Sequence, residues 1–546
     1  GTGQASGGTL RGVAPGASIL GLSAGDLFIV NVLEGFDYIL DKAARYGVRV
    51  VNCSWGMQGW FDPDDPVNIA TRQLYDAGIT VVFASGNQGP APDTLNPYSV
   101  APWVIGVGSS RKDGRLSRFS SRGIFEELLY HPTLIAPGEA ITAASPVLLN
   151  GGAYYTTDSG TSFAAPHVAG VVALMLQARP DLTPGAIKRL LQATATPILE
   201  RDRSEIGAGR LDAWAAITGA IDPARPFGTH IPGWLDQRPY RIEHLPAVEA
   251  MAVLPAGGSL TIPVTLEPGA LSWQTTLAWG TLPGLNDLDV VVRDAGGAEI
   301  ARGDAVNGTS LFGRAEGVHL LGAFPEALRA EVFFKTGSGL LDQKFEIRQE
   351  TAVAVVTAYA DVTGLPDADR DDVTRAVSRN VMIGREDGFD AYTDLTRGEL
   401  ARALALAAGR PQRIPPSPSF GDVSASDPLY PYVETVAGAR AGQVIVGPQN
   451  ANNFGPDRDV DRIDFAVALV RGAGLEAEAK ARAGESLDLV DANLIPSSLD
   501  GYVAVALERG LIDAIATSDG FVFNPKDEVR RIEAARSILR LLDFRR

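Results

Sequence analysis

The stretch SILGLSAGDLFIVNVLEGFDYILDKAARYGVRVVNC, residues 18–53, reads as strand, helix, strand. SILGL (18–22) and RVVNC (49–53) are short aliphatic runs of strand length. Between them Leu33, Phe36, Leu40 and Ala43 recur at helical spacing, and Gly47 stands where a C-terminal cap would. Two further runs, ITVVFA (79–84) and WVIGVG (103–108), continue the pattern. This rhythm predicts an α/β domain built on a parallel sheet with right-handed crossovers. Such sheets bind ligands beyond the carboxyl ends of their strands, where Ser54-Trp55-Gly56 and Ser85-Gly86-Asn87 fall.

The 546 residues are too many for one core and predict several domains. A net charge of −17 and the lack of a strongly basic stretch argue against nucleic acid as a partner. One cysteine, Cys53, excludes an internal disulfide, and its place in a strand predicts a small apolar core residue. No run of about 18 apolar residues predicts a membrane span. The α/β pattern covers 1–216, and a Pro- and Gly-rich stretch, 217–249, reads as a linker. Short alternating runs separated by turns predict an all-β sandwich over 250–352. The last part is mainly helical and repeats itself: FDAYTDLTRGE (389–399), FGPDRDVDRID (454–464) and FNPKDEVRRIE (523–533) each carry an Arg eight residues after the Phe. These repeats predict three units, 355–410, 418–475 and 484–546.

Chemistry concentrates in DSGTSFAAPHVAG (158–170), where Ser162 opens an apolar helix. Unpaired N–H groups at a helix start favour developing negative charge, as an acyl-transfer oxyanion requires. Read alone, Ser162 could equally be a helix cap. The segment resembles the serine motif of the subtilisin-like serine peptidases, and GVAPGASI (12–19), VVNCSWG (50–56), VVFASGNQG (81–89), FSSRG (119–123) and LIAPGEAI (134–141) resemble further family segments in order. The resemblance implies a serine endopeptidase working through an acyl-enzyme on protein or peptide substrates, with no required cofactor. It puts the nucleophile on Ser162, an oxyanion donor on Asn87, and substrate binding on Ser54, Trp55, Gly56, Ser85 and Gly86. Sedolisins, with a similar serine motif, use Asp where this chain has Asn87. Trp55 and Leu95 could narrow the specificity pocket or simply pack.

The base is the gap in this reading. The family's triad runs Asp, His, Ser, with His in a His-Gly-Thr-His context, and no such context occurs here. His167 lies five residues after Ser162, about 140° round the helix, and should not reach its hydroxyl. His131, His230, His244 and His319 carry no motif. The expectation is that the Asp and His segments lie upstream of Gly1, so that residues 1–546 alone are inactive. The alternative is a non-catalytic surface or S-layer-associated protein with a relic peptidase domain.

LAWGTLPGLNDLDVVVRDAGG (277–297) resembles the β-sandwich appended to many bacterial extracellular peptidases, where Asp287 and Asp289 could ligate a structural calcium. The three repeats resemble S-layer homology domains, opening at YADV (359–362), FGDV (420–423) and SLDL (486–489). That resemblance implies a bacterial cell-wall or S-layer location, with an anionic cell-wall polysaccharide on Arg397, Arg462 and Arg531. Each Arg could instead cap or pair within its own helix.

Overall fold

A computed structural model describes all residues except 24, 26–27, 146–150, 228–237, 265, 268, 281–285, 304–313, 322–327, 336–340, 439–443 and 546. Its first unit is a parallel sheet ordered β1 (Val50–Cys53), β2 (Thr80–Ala84), β3 (Ile105–Ser110), β4 (Leu134–Pro137). Side chains alternate across it. Val81 and Phe83 of β2 pack on α1 (Ile29–Tyr46) and α2 (Pro66–Asp76), while Val82 and Ala84 face α3 (Thr161–Ala178) and α4 (Pro184–Thr194); a short helix, α5 (Arg203–Ile206), follows. α6 (Ala213–Ile221) packs against α3 and α4. Gly47 closes α1 at φ 64°, as the sequence predicts. A hairpin, β5 (Ile141–Ala144) and β6 (Tyr155–Asp158), precedes α3. α3 is long and apolar enough, by length and composition alone, to cross a membrane. Its Ala164, Ala165, Val168, Val172 and Met175 are instead buried within this unit's core.

SILGL is not a strand. Residues 18–22 belong to no strand of the described sheets, and Ile19 is 81% exposed. β1 is the edge of the described sheet, and an aliphatic run without a ladder partner cannot satisfy its backbone as a strand.

Two antiparallel sheets follow. One contains β7 (Tyr240–His244), β8 (Val248–Leu254), β10 (Ala270–Trp279), β13 (Arg314–Leu321) and β15 (Gln343–Val356). The other contains β9 (Ser259–Val264), β11 (Leu288–Asp294), β12 (Glu299–Gly303) and β14 (Leu328–Phe334). Trp273, Phe345, Val290 and Val332 bury their side chains in the shared core. The expected linker is shorter than its composition suggests, because α6 runs to Ile221 and β7 pairs with β15. Asp287 and Asp289 lie at the start of β11, where Lys335 Nζ stands 3.8 Å from Asp289 Oδ1. The protein's own ammonium thus offers a counter-charge to that carboxylate.

The three C-terminal units close into a ring with pseudo-threefold symmetry. Leu395 N–H donates to the Val529 carbonyl, Val460 N–H to Leu395 and Val529 N–H to Val460, at 2.8, 3.1 and 2.9 Å. Each repeat's Arg opens a helix, Arg397–Ala407, Arg462–Gly472 or Arg531–Phe544, and reaches into the next unit. Arg397 Nε donates to the Phe454 carbonyl, Arg462 Nε to Phe523 and Arg531 Nε to Phe389. Each guanidinium also lies about 5 Å from that Phe ring. The Phe-to-Arg pattern read within one repeat therefore works between repeats.

These arginines have partners within the protein. Arg462 is 4% exposed and Arg531 is fully buried, their nitrogens committed to carbonyls and to Glu533 and Glu399. Arg397 sits similarly against Phe454, Gly447 and Asp464. The repeat openings are also adjusted. Asp361 and Asp422 each accept two N–H groups, from Phe389 and Asp390 and from Phe454 and Gly455. In the third unit Asp491 takes this role toward Phe523 and Asn524, so VDA rather than SLDL is the equivalent opening.

Candidate active site

Ser162 sits at the second residue of α3, facing the carboxyl ends of β1 and β2. Pro166 lies beyond the first turn and has no N–H to give the Ser162 carbonyl. Ser54 Oγ–H fills that position at 2.8 Å, and Ser162 Oγ–H donates back to the Ser54 carbonyl at 3.0 Å. A proline within the helix thus creates the acceptor that holds the β1 segment against the Ser162 turn.

Asn87 lies opposite. Its Oδ1 accepts both Thr161 N–H at 2.8 Å and Thr161 Oγ–H at 2.9 Å. Those two donors assign the amide orientation and leave Nδ2 as the outward donor. Asn87 Nδ2 and Ser162 N border the same space beside Gly160, 3.4 and 3.7 Å from where a Cβ on Gly160 would stand. Gly86 makes the approach possible: its φ is +107°, and a Cβ there would lie 2.6 Å from Ser121 Oγ.

The expected substrate segments meet here, but not all through their side chains. Ser85 is fully buried. Trp55 packs on Phe36, Phe83 and Tyr98, its ring 5.0 Å from that of Phe83. Leu95 is also buried. Buried Asn96, which the sequence reading missed, joins the two walls by donating to the Trp55 and Ala84 carbonyls. A Cβ on Gly56 would collide with it at 2.2 Å. Thr161 was missed too, although its place beside Ser162 in SGTS offered the cue. Cys53 is buried, and burial pushes its thiol pKa up, as a core residue requires.

Among the described residues no histidine serves Ser162. His167 Nδ1 bonds the Phe163 carbonyl on its own helix, and His131 Nδ1 bonds the Pro132 carbonyl. His244 meets Glu126 and His319 meets Ser272, while His230 lies outside the described residues.

The sequence profile of the Subtilase family matches residues 1–213, and that of the S-layer homology domain matches 419–466. Subtilisin DY of Bacillus licheniformis is 30% identical over 211 residues, covering 38% of this chain and 70% of its own length. The chain belongs to the subtilase family. Serine protease AprX of Bacillus subtilis is 31% identical over 244 residues, 40% of this chain, which spans 55% of AprX. The solved structure of the patellamide maturation protease PatA shows 30% identity over 39% of this chain and 78% of its own, with a TM-score of 0.33.

The subtilase unit carries a pH signature of its own. Burial, reinforced by the nearby Arg203 cation, lowers the His131 pKa to about 4. Between the ordinary value near 6.5 and that value the unfolded chain binds a proton that the folded chain refuses, so stability falls as pH drops through this window. The slope approaches about 1.4 kcal/mol per pH unit. His131→Asn, which keeps a donor for the Pro132 carbonyl, is expected to flatten this part of the melting-temperature profile. An unchanged slope would assign the pH dependence elsewhere.

Proposed function

We propose that the chain supplies the nucleophile and oxyanion donors of a serine endopeptidase. Ser162 attacks the scissile carbonyl, and the Ser162 N–H and Asn87 Nδ2 receive the oxyanion. The observation that carries this reading is the pinning of Asn87 Oδ1 by Thr161, which turns Nδ2 toward the space that Ser162 N also borders. Backbone at 54–56 and 85–86 lines the approach, with proteins or peptides as substrates.

Acyl transfer also needs a base for the Ser162 proton and an acid to orient that base. In this reading both come from a segment outside residues 1–546, and these residues alone are inactive. The S-layer homology units hold the peptidase at a bacterial cell surface by binding wall polysaccharide, through surfaces other than the buried Arg462 and Arg531. No cofactor takes part in the acyl transfer. Asp287 and Asp289 remain a proposed structural calcium site, testable by the shift in melting temperature on chelation.

Fluorophosphonate labelling tests the reading. Ser162 should be labelled rapidly in a protein that contains the base, and at least about a hundredfold more slowly in residues 1–546. Equal slow labelling of both would sink it. Asn87→Ala in the base-containing protein should lower kcat by about 10²–10³, with KM little changed. A KM effect alone would remove Asn87 from the oxyanion site.

A second reading is favoured by the Ser162 hydroxyl itself, which donates to a backbone carbonyl and to no histidine. That geometry also suits a subtilase scaffold kept for binding. Absence of labelling in a folded, base-containing protein would select it.

A further inference from the structure

We infer that the junction of the three units holds a binding site for an apolar group carrying one carboxylate. A cavity of about 200 Å³ opens there. Its apolar wall combines Ile206 of the subtilase unit, Tyr240 and Leu271 of the sandwich, and Val377 of the first repeat. Its charged lining is Arg201, Arg203, Arg238 and Arg379 against a single carboxylate, Asp202. Two acids behind the wall do not restore balance. Glu205 is shared between Arg201 at 3.5 Å and Arg122 at 3.4 Å, and Glu126 already meets His244 Nε2 at 2.7 Å.

Arg238 is the guanidinium left underused. It stacks over the Tyr240 ring at 5.4 Å, and its Nη2 lies 3.8 Å from Glu126. Its Nη1 is buried with no hydrogen-bond partner among the described residues. A buried donor of this kind costs free energy until an acceptor arrives, and a carboxylate beside an excess of guanidinium groups supplies one. Apolar walls with a few convergent polar groups at a domain junction are the usual form of a small-ligand site. Here the ligand would touch all three units, so binding should tighten their association.

The carboxylate could belong to a peptide C-terminus or to a small free acid. Calorimetry on the whole chain with N-acetylphenylalanine, its amide, phenylacetate, and a peptide ending in Phe separates these sources. The acid should bind saturably at millimolar concentration or below and raise the melting temperature, and the amide should bind at least about tenfold more weakly. Tighter binding of the peptide identifies a chain terminus as the natural source, and tighter binding of phenylacetate a free acid. Arg238→Met should reduce the acid to the affinity of the amide. Leu271→Phe, which narrows the cavity without touching charge, should weaken acid and amide alike. Equal affinity of acid and amide for the unmodified chain, or no saturable binding by either, overturns the assignment.

Discussion

Ser162→Ala, introduced into a protein that joins residues 1–546 to a histidine-bearing segment, is expected to lower kcat by about 10⁶, the magnitude known for loss of the serine in subtilisin. The size follows from the division of labour at the site. Without the hydroxyl no acyl-enzyme forms, and only the oxyanion donors remain to stabilise attack by water. Those donors are intact in this chain, because Thr161 and not Ser162 holds Asn87. Residual turnover should therefore exceed the uncatalysed rate, and Asn87→Ala added to Ser162→Ala should lower it further. The measurement is hydrolysis of a peptide ester beside the parent protein. Retention of more than about 1% of the parental kcat would mean that another residue is the nucleophile.

Arg531→Ala is expected to loosen the C-terminal ring by about 3–5 kcal/mol, the range for breaking a buried charge pair by removing one partner. Arg531 is fully buried, donates to the Phe389 and Ile383 carbonyls, and pairs with Glu399, which Arg385 also engages. Truncation takes that donor from the Phe389 and Ile383 carbonyls and leaves Glu399 to Arg385 alone among its cations. Amide hydrogen exchange of Leu395, Val460 and Val529 in the whole chain reads the effect locally, and protection should fall by at least about a hundredfold. Arg462→Ala should act similarly, and Arg397→Ala less, since its partner Asp464 is 60% exposed and 3.9 Å away. Unchanged exchange with lost polysaccharide binding would return these arginines to a ligand-binding role.

The α/β unit was legible because its evidence is local. Apolar runs, helical periodicity and the turn signal at Gly47 need no knowledge of the rest of the chain. SILGL failed because a strand is a property of two segments, and its local pattern contained no information about a partner. The active site divides in the same way. Ser162 and Asn87 announce themselves in motifs, whereas Asn96 and Thr161 act through hydrogen bonds to residues distant in sequence. The role of Pro166 needed both levels: the residue is visible at once, but the carbonyl it frees matters only because Ser54 arrives to use it.

By itself the sequence determined the order of the units, the serine motif at Ser162 and the three-fold recurrence of Phe and Arg. Only the tertiary structure decided which way those arginines point. An arginine eight residues after a phenylalanine is compatible with a solvent-facing ligand site, a helix cap or a contact with a neighbouring unit. Ring closure sets each against the neighbouring unit, and bringing three units round one axis buries the guanidinium groups of Arg462 and Arg531. A buried guanidinium must then find carbonyl and carboxylate partners in the next repeat.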